Sequence, residues 1–261
     1  MPSIRPDIVE EARRVIGAAQ AEQVTLRVLG GVAVQLHAGG AVHPALARSY
    51  RDIDLVATRK QGRAATQLLR ELGYQPNQRF NAMHGATRLV FYDVEHGRQV
   101  DVFVGEFRMC HAIPIADRLH LDDETIPLAE LLLTKLQIVH LNEKDLRDMW
   151  AILHEHDVAE HDEDAVNAGH IARLLATDWG LWRTSRQTVE SARTHLVDTA
   201  LDDADRALLD DRLQRLWQRV EAEPKSLRWR GRARLGDRSQ WYEEPEEVAH
   251  AAIEGASVTP G

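Results

Sequence analysis

Two aspartates that flank a single apolar residue, Asp52 and Asp54, constrain this sequence more than any other feature. Side chains of a β-strand alternate between its two faces, so a strand over residues 52–57 directs both carboxylates to one face. Ile53 and Leu55 then face the core. Two carboxylates on one face repel each other, which costs folding free energy unless a divalent cation neutralises them. The pattern therefore predicts a metal-binding strand.

A glycine pair, Gly30-Gly31, precedes these aspartates by about twenty residues. We predict that it follows a strand over 25–29 and begins a helix over 30–38. The first backbone N–H groups of a helix bind anions readily, so this turn can hold the oxygens of a triphosphate. A tight turn without a ligand would also use two glycines. The long spacer that follows contains histidine and glycine and predicts an additional loop near the site.

A third carboxylate, Asp101, is the only charged residue in the apolar run 99–104. This run reads as the second strand of a hairpin, whose first strand covers 88–93 and whose turn contains His96 and Gly97. A lone aspartate in such a run is unfavourable unless it has a partner, and a metal shared with Asp52 and Asp54 would be one. Asp93 on the first strand competes with Asp101 for this role.

The Gly-Gly turn, the Asp-x-Asp strand and the later single aspartate resemble, in this order, the nucleotidyltransferase fold of the DNA polymerase β superfamily. The segments around Lys135 and over 144–148, Lys-Asp-Leu-Arg-Asp, are similar to motifs of the AbiEii-like branch. That branch includes toxins of toxin–antitoxin pairs and uncharacterised bacterial nucleotidyltransferases. The resemblance covers roughly residues 25–155. Gly31 stands where many members have a serine, so one phosphate-binding hydroxyl is absent here.

The resemblance implies transfer of a nucleoside monophosphate from a nucleoside triphosphate to an acceptor, with release of pyrophosphate. The implied cofactor is Mg²⁺, with Mn²⁺ as the alternative. The residues that would both ligate the metal and take part in catalysis are Asp52, Asp54 and Asp101. Asp101 would hold a second ion, which lowers the pKa of the acceptor hydroxyl. The residues that would bind the nucleotide are Gly30, Gly31, Arg48, Lys135 and Asp148.

Three of these nucleotide-binding candidates also have a simpler interpretation. Arg48 either clamps a phosphate or belongs to a solvated loop. Lys135 either binds the triphosphate, as the resemblance implies, or is a surface lysine on an amphipathic helix. Asp148 either orients Lys135 or the nucleotide, or forms an i,i+4 pair with Lys144.

The acceptor stays open at this point. The AbiEii-like resemblance implies a tRNA or another macromolecule, and an antitoxin as a partner. Adenylylation of a small molecule, as in antibiotic-resistance enzymes with a similar Gly-Gly and Asp-Ile-Asp, is the nearest alternative. A non-catalytic nucleotide-binding module of the same fold is a third hypothesis.

Composition limits these options further. The net charge is −9, but residues 1–119 carry fifteen Lys and Arg against twelve Asp and Glu. The half with the proposed site therefore suits polyanions better than the acidic remainder does. No apolar run is long enough to span a bilayer, so we expect no membrane partner. The single cysteine, Cys110, and the lack of a signal-peptide pattern predict a cytoplasmic protein.

These observations predict an α/β (α+β) fold, in which a nucleotidyltransferase core with a small mixed sheet precedes a mostly helical region. We place the core at 1–122, the helical region that closes the cleft at 123–222, and a basic, then acidic, partly disordered segment at 223–261. Helices are predicted over 6–21, 63–72, 164–176, 181–196 and 202–220.

Tryptophan and arginine are concentrated in two later segments. We expect Trp179 and Trp182, three residues apart, to fill a core between helices rather than to stack on bases. The segment 228–234 carries arginine at alternate positions. An extended chain would make it one basic edge, and we favour the alternative that it folds back on the acidic helices.

Overall fold

The computed structural model describes residues 4–39 and 42–244. The α-helices of these residues are α1 (Ile8–Ala21), α2 (Gly30–His37), α3 (Gly62–Glu71), α4 (Gln78–His84), α5 (Leu128–Leu136), α6 (Glu143–Glu155), α7 (Ala168–Leu175), α8 (Trp179–Thr194), α9 (Asp203–Ala222) and α10 (Leu227–Ala233). The β-strands are β1 (Leu26–Leu29), β2 (Asp52–Ala57), β3 (Gln75–Pro76), β4 (Arg88–Asp93), β5 (Arg98–Val104), β6 (Phe107–Arg108), β7 (Ala112–Ile113), β8 (Asp157–Ala159) and β9 (Ala165–Asn167).

Five strands form one mixed sheet in the order β1-β2-β5-β4-β3. Strands β2 and β5 are parallel, and the other neighbouring pairs are antiparallel. Every residue of β5 is buried, because β5 lies at the centre of the sheet. The small mixed sheet and the helical C-terminal region confirm the predicted fold class.

The N-terminal helix α1 packs against β1, α2 and α3. It buries Ala12, Val15, Ile16 and Ala19, which recur at helical spacing. The Asp7 side chain caps it by accepting hydrogen bonds from the backbone N–H groups of Val9 and Glu10. The predicted and observed bounds of α1, β1, α2, β2 and α3 agree within about two residues.

Helix α5 lies at the centre of the helical region and contacts α2, α6, α7, α8 and β9. All nine of its residues are buried. It therefore joins the helical region to the end of the sheet at which α2 begins.

The predicted tryptophan core is confirmed. Trp179 and Trp182 of α8 are 6% and 9% exposed. The ring of Trp182 packs against those of Trp217 and Trp229, with centroids 6.0 and 5.1 Å away.

The segment 228–234 is not extended, since most of it belongs to helix α10, which packs against α8. Ser226 caps this helix by accepting a hydrogen bond from the backbone N–H of Trp229. The guanidinium of Arg232 lies 4.5 Å from the centroid of the Trp179 ring. Helical geometry disperses the alternate arginines, so no single basic edge forms. The segment folds back, but onto α8, which carries three arginines and one glutamate, and not onto an acidic helix as predicted. The acidic end of the chain, residues 245–261, lies outside the described residues.

Two local predictions differ from the structure. The helix predicted from residue 164 begins at Ala168, because residues 165–167 form strand β9 and pair with β8. Helix α4 has no counterpart among the predicted elements. It is held by the Asn77 cap and by Asn81, whose side chain hydrogen-bonds both backbone polar groups of Val90. Tertiary contacts of this kind leave no periodic pattern in the sequence.

No helix in the described ranges is both long and apolar enough to cross a bilayer.

Leu131→Ala in α5 should destabilise the protein by about 2–5 kcal/mol, because Leu131 is fully buried and the lost methyl groups leave a cavity. Urea unfolding monitored by tryptophan fluorescence measures this change. The matched control is Leu121→Ala, at a side chain that is 43% exposed, and it should change stability by less than about 1 kcal/mol. Equal losses in the two variants would show that α5 is not the centre of the core.

Candidate active site

The candidate site begins at the parallel pair of strands β2 and β5. Their register places Asp54 directly beside Asp101, so both side chains lie on one face of the sheet. Asp52, two residues before Asp54, lies on the same face at the start of β2. Asp52 is exposed, Asp54 is half-buried and Asp101 is buried. The three predicted carboxylates thus share one face and differ in depth.

Asp54 lies where negative charge is least compensated. Burial, followed by the charge of Asp101, raises its pKa to about 7, and the nearby charge of Lys135 offsets part of this rise. Within residues 4–39 and 42–244, its carboxylate receives no hydrogen bond. An acid in this environment is stabilised either by a proton or by a cation.

Asp101 has protein partners that the sequence did not predict. Its Oδ1 accepts a hydrogen bond from Arg88 Nε at 2.8 Å and forms an ion pair with Arg88 Nη2, also at 2.8 Å. Its Oδ2 accepts a hydrogen bond from Gln99 Nε2 at 2.7 Å. The expectation that a metal is needed to stabilise Asp101 was therefore incomplete, because Arg88 neutralises it. The competing candidate Asp93 is bound to Arg98 and His96 at the hairpin turn.

The glycine turn approaches these carboxylates closely. Gly30 has a φ of +70°, and a Cβ at this position would lie 2.2 Å from Oδ2 of Asp54. A Cβ on Gly31 would lie 2.3 Å from Nη2 of Arg48 and 2.5 Å from the ring of Tyr50. Both glycines are therefore required by the conformation or by the space available. The N-cap residue Leu29 makes no side-chain hydrogen bond to the first turn of α2, so that turn has no side-chain acceptor at its cap.

Asp148 joins two of the predicted basic residues. It accepts hydrogen bonds from Nε and Nη2 of Arg48, both at 2.7 Å, and Nζ of Lys135 lies 2.7 Å from its Oδ2. Burial acts to raise the pKa of Asp148, but the hydrogen bonds from Arg48 and the charge of Lys135 lower it overall. Burial acts to lower the pKa of Lys135, and the charges of Asp148 and Asp145 raise it overall.

These contacts decide the three alternatives left open for Asp148, Arg48 and Lys135. Asp148 orients Lys135, and its pairing with Lys144 is wrong, because Arg48 and Lys135 bind the carboxylate. Arg48 does not belong to a solvated loop, since it pairs with Asp148 and stacks 4.4 Å from the centroid of the Tyr50 ring. Lys135 is 8% exposed, so it is not a surface lysine.

Gly30 of the glycine turn and several of the charged residues described above line one cleft with a volume of about 320 Å³. Gly30, Asp54, Arg88 and Lys135 line its polar part. Aromatic and thioether side chains line another part, namely Phe103, Phe107 and Met109. A larger cavity of about 640 Å³ shares Asn142 with the cleft, and none of the predicted site residues lines it.

Sequence reasoning missed Arg88 and Gln99. A usable signal was present in the hairpin. Pairing of Asp93 with Arg98 across the turn fixes the register of β4 and β5. It places Val90 opposite Asp101 and Arg88 opposite Phe103. Arg88 is therefore the diagonal neighbour of Asp101.

Among the described residues, no three His, Cys, Asp or Glu side chains form a ready-made metal site. The geometry explains this result in part, since Asp101 is occupied by Arg88 and Gln99. Asp54 receives no compensating hydrogen bond from the described residues, so its ionised form is open to stabilisation by a cation, and its neutral form needs only a proton. In addition, Oε1 of Gln99 is buried without a hydrogen-bond partner beside Asp101.

Asp54→Asn should stabilise the metal-free protein by about 1–3 kcal/mol at pH 8. The raised pKa of Asp54 means that its ionisation opposes folding. This cost is absent below about pH 4, grows as the pH rises towards 7 and is complete above pH 7. Urea unfolding in EDTA at pH 4 and pH 8 measures the change. A variant less stable than wild type at pH 8 would contradict this assignment.

Asp148→Asn should destabilise the protein by about 3 kcal/mol at pH 7, because Arg48 and Lys135 lose their shared counter-charge. The pKa of Asp148 is lowered in the folded state, so its contribution is present above about pH 4 and is lost as the pH falls further. The difference from wild type should therefore shrink below pH 4. As a control, Asp211→Asn removes an exposed ion pair with Arg215 and should cost less than about 1 kcal/mol.

Comparison with known proteins supports the chemistry that this geometry suggests. A search of curated proteins found no significant match. Residues 7–109 match the model of a protein family described as uncharacterised nucleotidyltransferase. The matched segment runs from the start of α1 to β6 and includes Gly30, Gly31, Asp52, Asp54 and Asp101. The match supports nucleotidyl transfer as the general class of reaction.

Proposed function

We propose that this chain transfers a nucleoside monophosphate from a nucleoside triphosphate to an acceptor and releases pyrophosphate. The observation that carries the proposal is the position of Asp54. Its carboxylate has a raised pKa and lies against the glycine turn and in the same cleft as Lys135. The family match over residues 7–109 supports the same reaction class.

The proposed cofactor is Mg²⁺, with Mn²⁺ as the alternative. Asp52 and Asp54 would hold it, since hard cations prefer carboxylate oxygens and Asp54 lacks a hydrogen-bonded partner in the described part of the chain. Asp101 would join them once Arg88 has moved away. When bound, the ion would neutralise charge on the phosphates and activate the acceptor hydroxyl.

The proposed phosphate-binding groups come from both parts of the fold. The backbone N–H groups of Gly30 and Gly31 would bind phosphate oxygens at the start of α2, where Gly30 lines the cleft. Lys135 contributes a positive charge from α5, and Arg48 contributes one from the loop before β2. Asp148 fixes the positions of the Arg48 and Lys135 side chains, so it would act on the nucleotide through them. The helical region thus supplies one wall of the cleft.

For the acceptor we propose a tRNA or another macromolecule, in an AbiEii-like protein that has an antitoxin partner. A small-molecule acceptor is the second candidate, because the cavity of about 640 Å³ has the size of pockets for small ligands. The net charge of −9 also disfavours a polyanionic acceptor. The salt dependence of acceptor binding separates the two, since binding of RNA weakens steeply as salt rises.

Asp54→Asn should lower transfer roughly 100-fold or more, because the substitution removes charge beside the reacting phosphate. The assay incubates the protein with Mg²⁺, each of the four labelled nucleoside triphosphates, and either cellular RNA or a small-molecule extract. The fraction that gains label identifies the acceptor class. Asp203→Asn, at a fully exposed side chain in α9, is the control and should transfer at the wild-type rate.

Undiminished transfer by Asp54→Asn would exclude Asp54 as a catalytic residue. A second measurement tests the non-catalytic module. A nucleotide that raises the melting temperature in the presence of Mg²⁺, without any transfer of label, would favour that hypothesis.

A further inference from the structure

A second cavity, which we call the aromatic cavity, is lined by aromatic rings and arginines. It has a volume of about 510 Å³, and its walls come from the β6–β7 hairpin, the start of α8, helix α10 and the segment 240–243. Its aromatic and basic lining residues are Trp179, Trp229, Trp241, Tyr242, Arg108, Arg228 and Arg232. Trp229, Trp241 and Tyr242 are half-buried, so each keeps some accessible surface. The reaction proposed above leaves this cavity without a role.

Specific contacts hold the segment 240–243 in place as one wall of this cavity. Nε1 of Trp241 donates a hydrogen bond to Oγ1 of Thr184 in α8 at 3.1 Å. The backbone N–H of Glu243 donates one to the carbonyl oxygen of Cys110 at 2.9 Å. A Cβ on Gly180 would lie 2.5 Å from the carbonyl oxygen of Trp241, so the segment packs directly on the start of α8. The aromatic cavity is therefore a built feature of the fold.

Positive charge is in excess within the aromatic cavity, although the whole chain has a net charge of −9. Both acidic lining residues are engaged, since Asp178 caps α8 and Glu243 pairs with Arg108 at 2.9 Å. Within residues 4–39 and 42–244, neither Arg228 nor Arg232 forms an ion pair. Arg228 is also exposed, and its guanidinium donates no hydrogen bond to a described residue. The cavity thus offers two uncompensated positive charges beside its rings.

This combination of rings and arginines matches the chemistry of single-stranded nucleic acid. Bases stack on aromatic side chains, and arginines bind the phosphates between them. A purely apolar ligand would leave Arg228 without a partner, and a simple anion would leave the rings unused. The volume of about 510 Å³ lies within the range of pockets that hold small ligands, so there is room for a nucleotide.

The aromatic cavity adjoins the cleft that contains Asp54. Cys110 lines both of them. A further cavity of about 510 Å³ lies alongside, and it shares Trp241 with the aromatic cavity and His140 with the cleft. A flexible strand held by the rings can therefore extend from one cavity to the next and reach the cleft.

Resting on the proposed function, we propose that the aromatic cavity binds a single-stranded segment of an RNA acceptor and directs its end into the cleft beside Asp54. Arg228 binds a phosphate of this segment, and Tyr242 stacks on a base. Paired bases of a duplex do not expose their faces to such rings, so the segment is unpaired. Local positive charge allows this acidic chain to bind RNA at one place only.

Binding of a labelled tetra-adenylate RNA tests this proposal without measuring transfer. Fluorescence anisotropy at several salt concentrations, without Mg²⁺ or triphosphate, gives the affinity and its salt dependence. Arg228→Gln should weaken binding about tenfold and reduce the salt slope by about 0.7, because one phosphate contact is lost. The control is Arg234→Gln, at an exposed arginine directly after α10 that does not line the aromatic cavity. It should keep the affinity and the slope of wild type.

A second variant separates stacking from charge. Tyr242→Leu should weaken binding of the tetra-adenylate about tenfold, because one stacking ring is lost. Its salt slope should equal that of wild type, since the substitution removes no charge. The control is Tyr92→Leu, at a half-buried tyrosine of β4 outside the aromatic cavity, and it should bind the probe with wild-type affinity.

Three results would overturn the proposal. They are no binding of the tetra-adenylate to wild type, equal losses in Arg228→Gln and Arg234→Gln, and competition by adenosine monophosphate as strong as that by the tetra-adenylate. The last result would assign the aromatic cavity to a free nucleotide. If Tyr242→Leu does not fold, the two arginine variants still decide, because both side chains are exposed.

Failure of the proposed function gives a different result. Wild type would then bind the tetra-adenylate as expected, and no labelled nucleotide would be transferred to any RNA. Where transfer to RNA occurs, Arg228→Gln should raise KM for RNA about tenfold and leave kcat unchanged. Transfer by Arg228→Gln with the wild-type KM would overturn the RNA site and leave the reaction itself intact.

Discussion

The repulsion between Asp54 and Asp101 is the constraint on which the candidate site depends. Parallel pairing of two central strands places their carboxylates side by side, and the buried surroundings reduce screening by water. The protein compensates one member of the pair with Arg88 and leaves the other with a raised pKa. This asymmetry assigns different tasks to the two carboxylates. Asp54 keeps a charge that no hydrogen bond from the described residues compensates, and Asp101 keeps an ion pair and two hydrogen bonds.

The second organising feature is the carboxylate of Asp148. It joins the loop before β2, through Arg48, to α5, through Lys135. These residues are far apart in sequence, yet their contacts with Asp148 fix the positively charged groups of Arg48 and Lys135 relative to the glycine turn. A site assembled in this way depends on the helical region as much as on the sheet. The family match ends at residue 109, so Lys135 and Asp148 belong to the part of the chain beyond it.

Patterns with a fixed period could be predicted from the sequence, and contacts between distant segments could not. The Asp-x-Asp strand, the glycine turn and the long helices have periodic or local signals, and the structure has them within about two residues. The partner of Asp101 lies within one hairpin, whose register could have indicated it. The partner of Asp148 depends on how α5, α6 and a loop pack, which no local pattern indicates. Residues 228–234 show the same limit. Their alternating arginines suggest an edge, but the Ser226 cap and the packing of Trp229 against Trp182 favour a helix.

The ion pairs of the site determine how strongly the cleft attracts an anionic substrate. Arg48 and Lys135 are balanced by Asp148 and Asp145, so this quartet has no surplus positive charge. Asp54 and Asp101 outweigh the single charge of Arg88 when both are ionised. A bare triphosphate would therefore meet a neutral to negative opening. An anion that brings its own counter-cation would be repelled less, so charge alone would favour a chelated polyanion over a free one at this cleft.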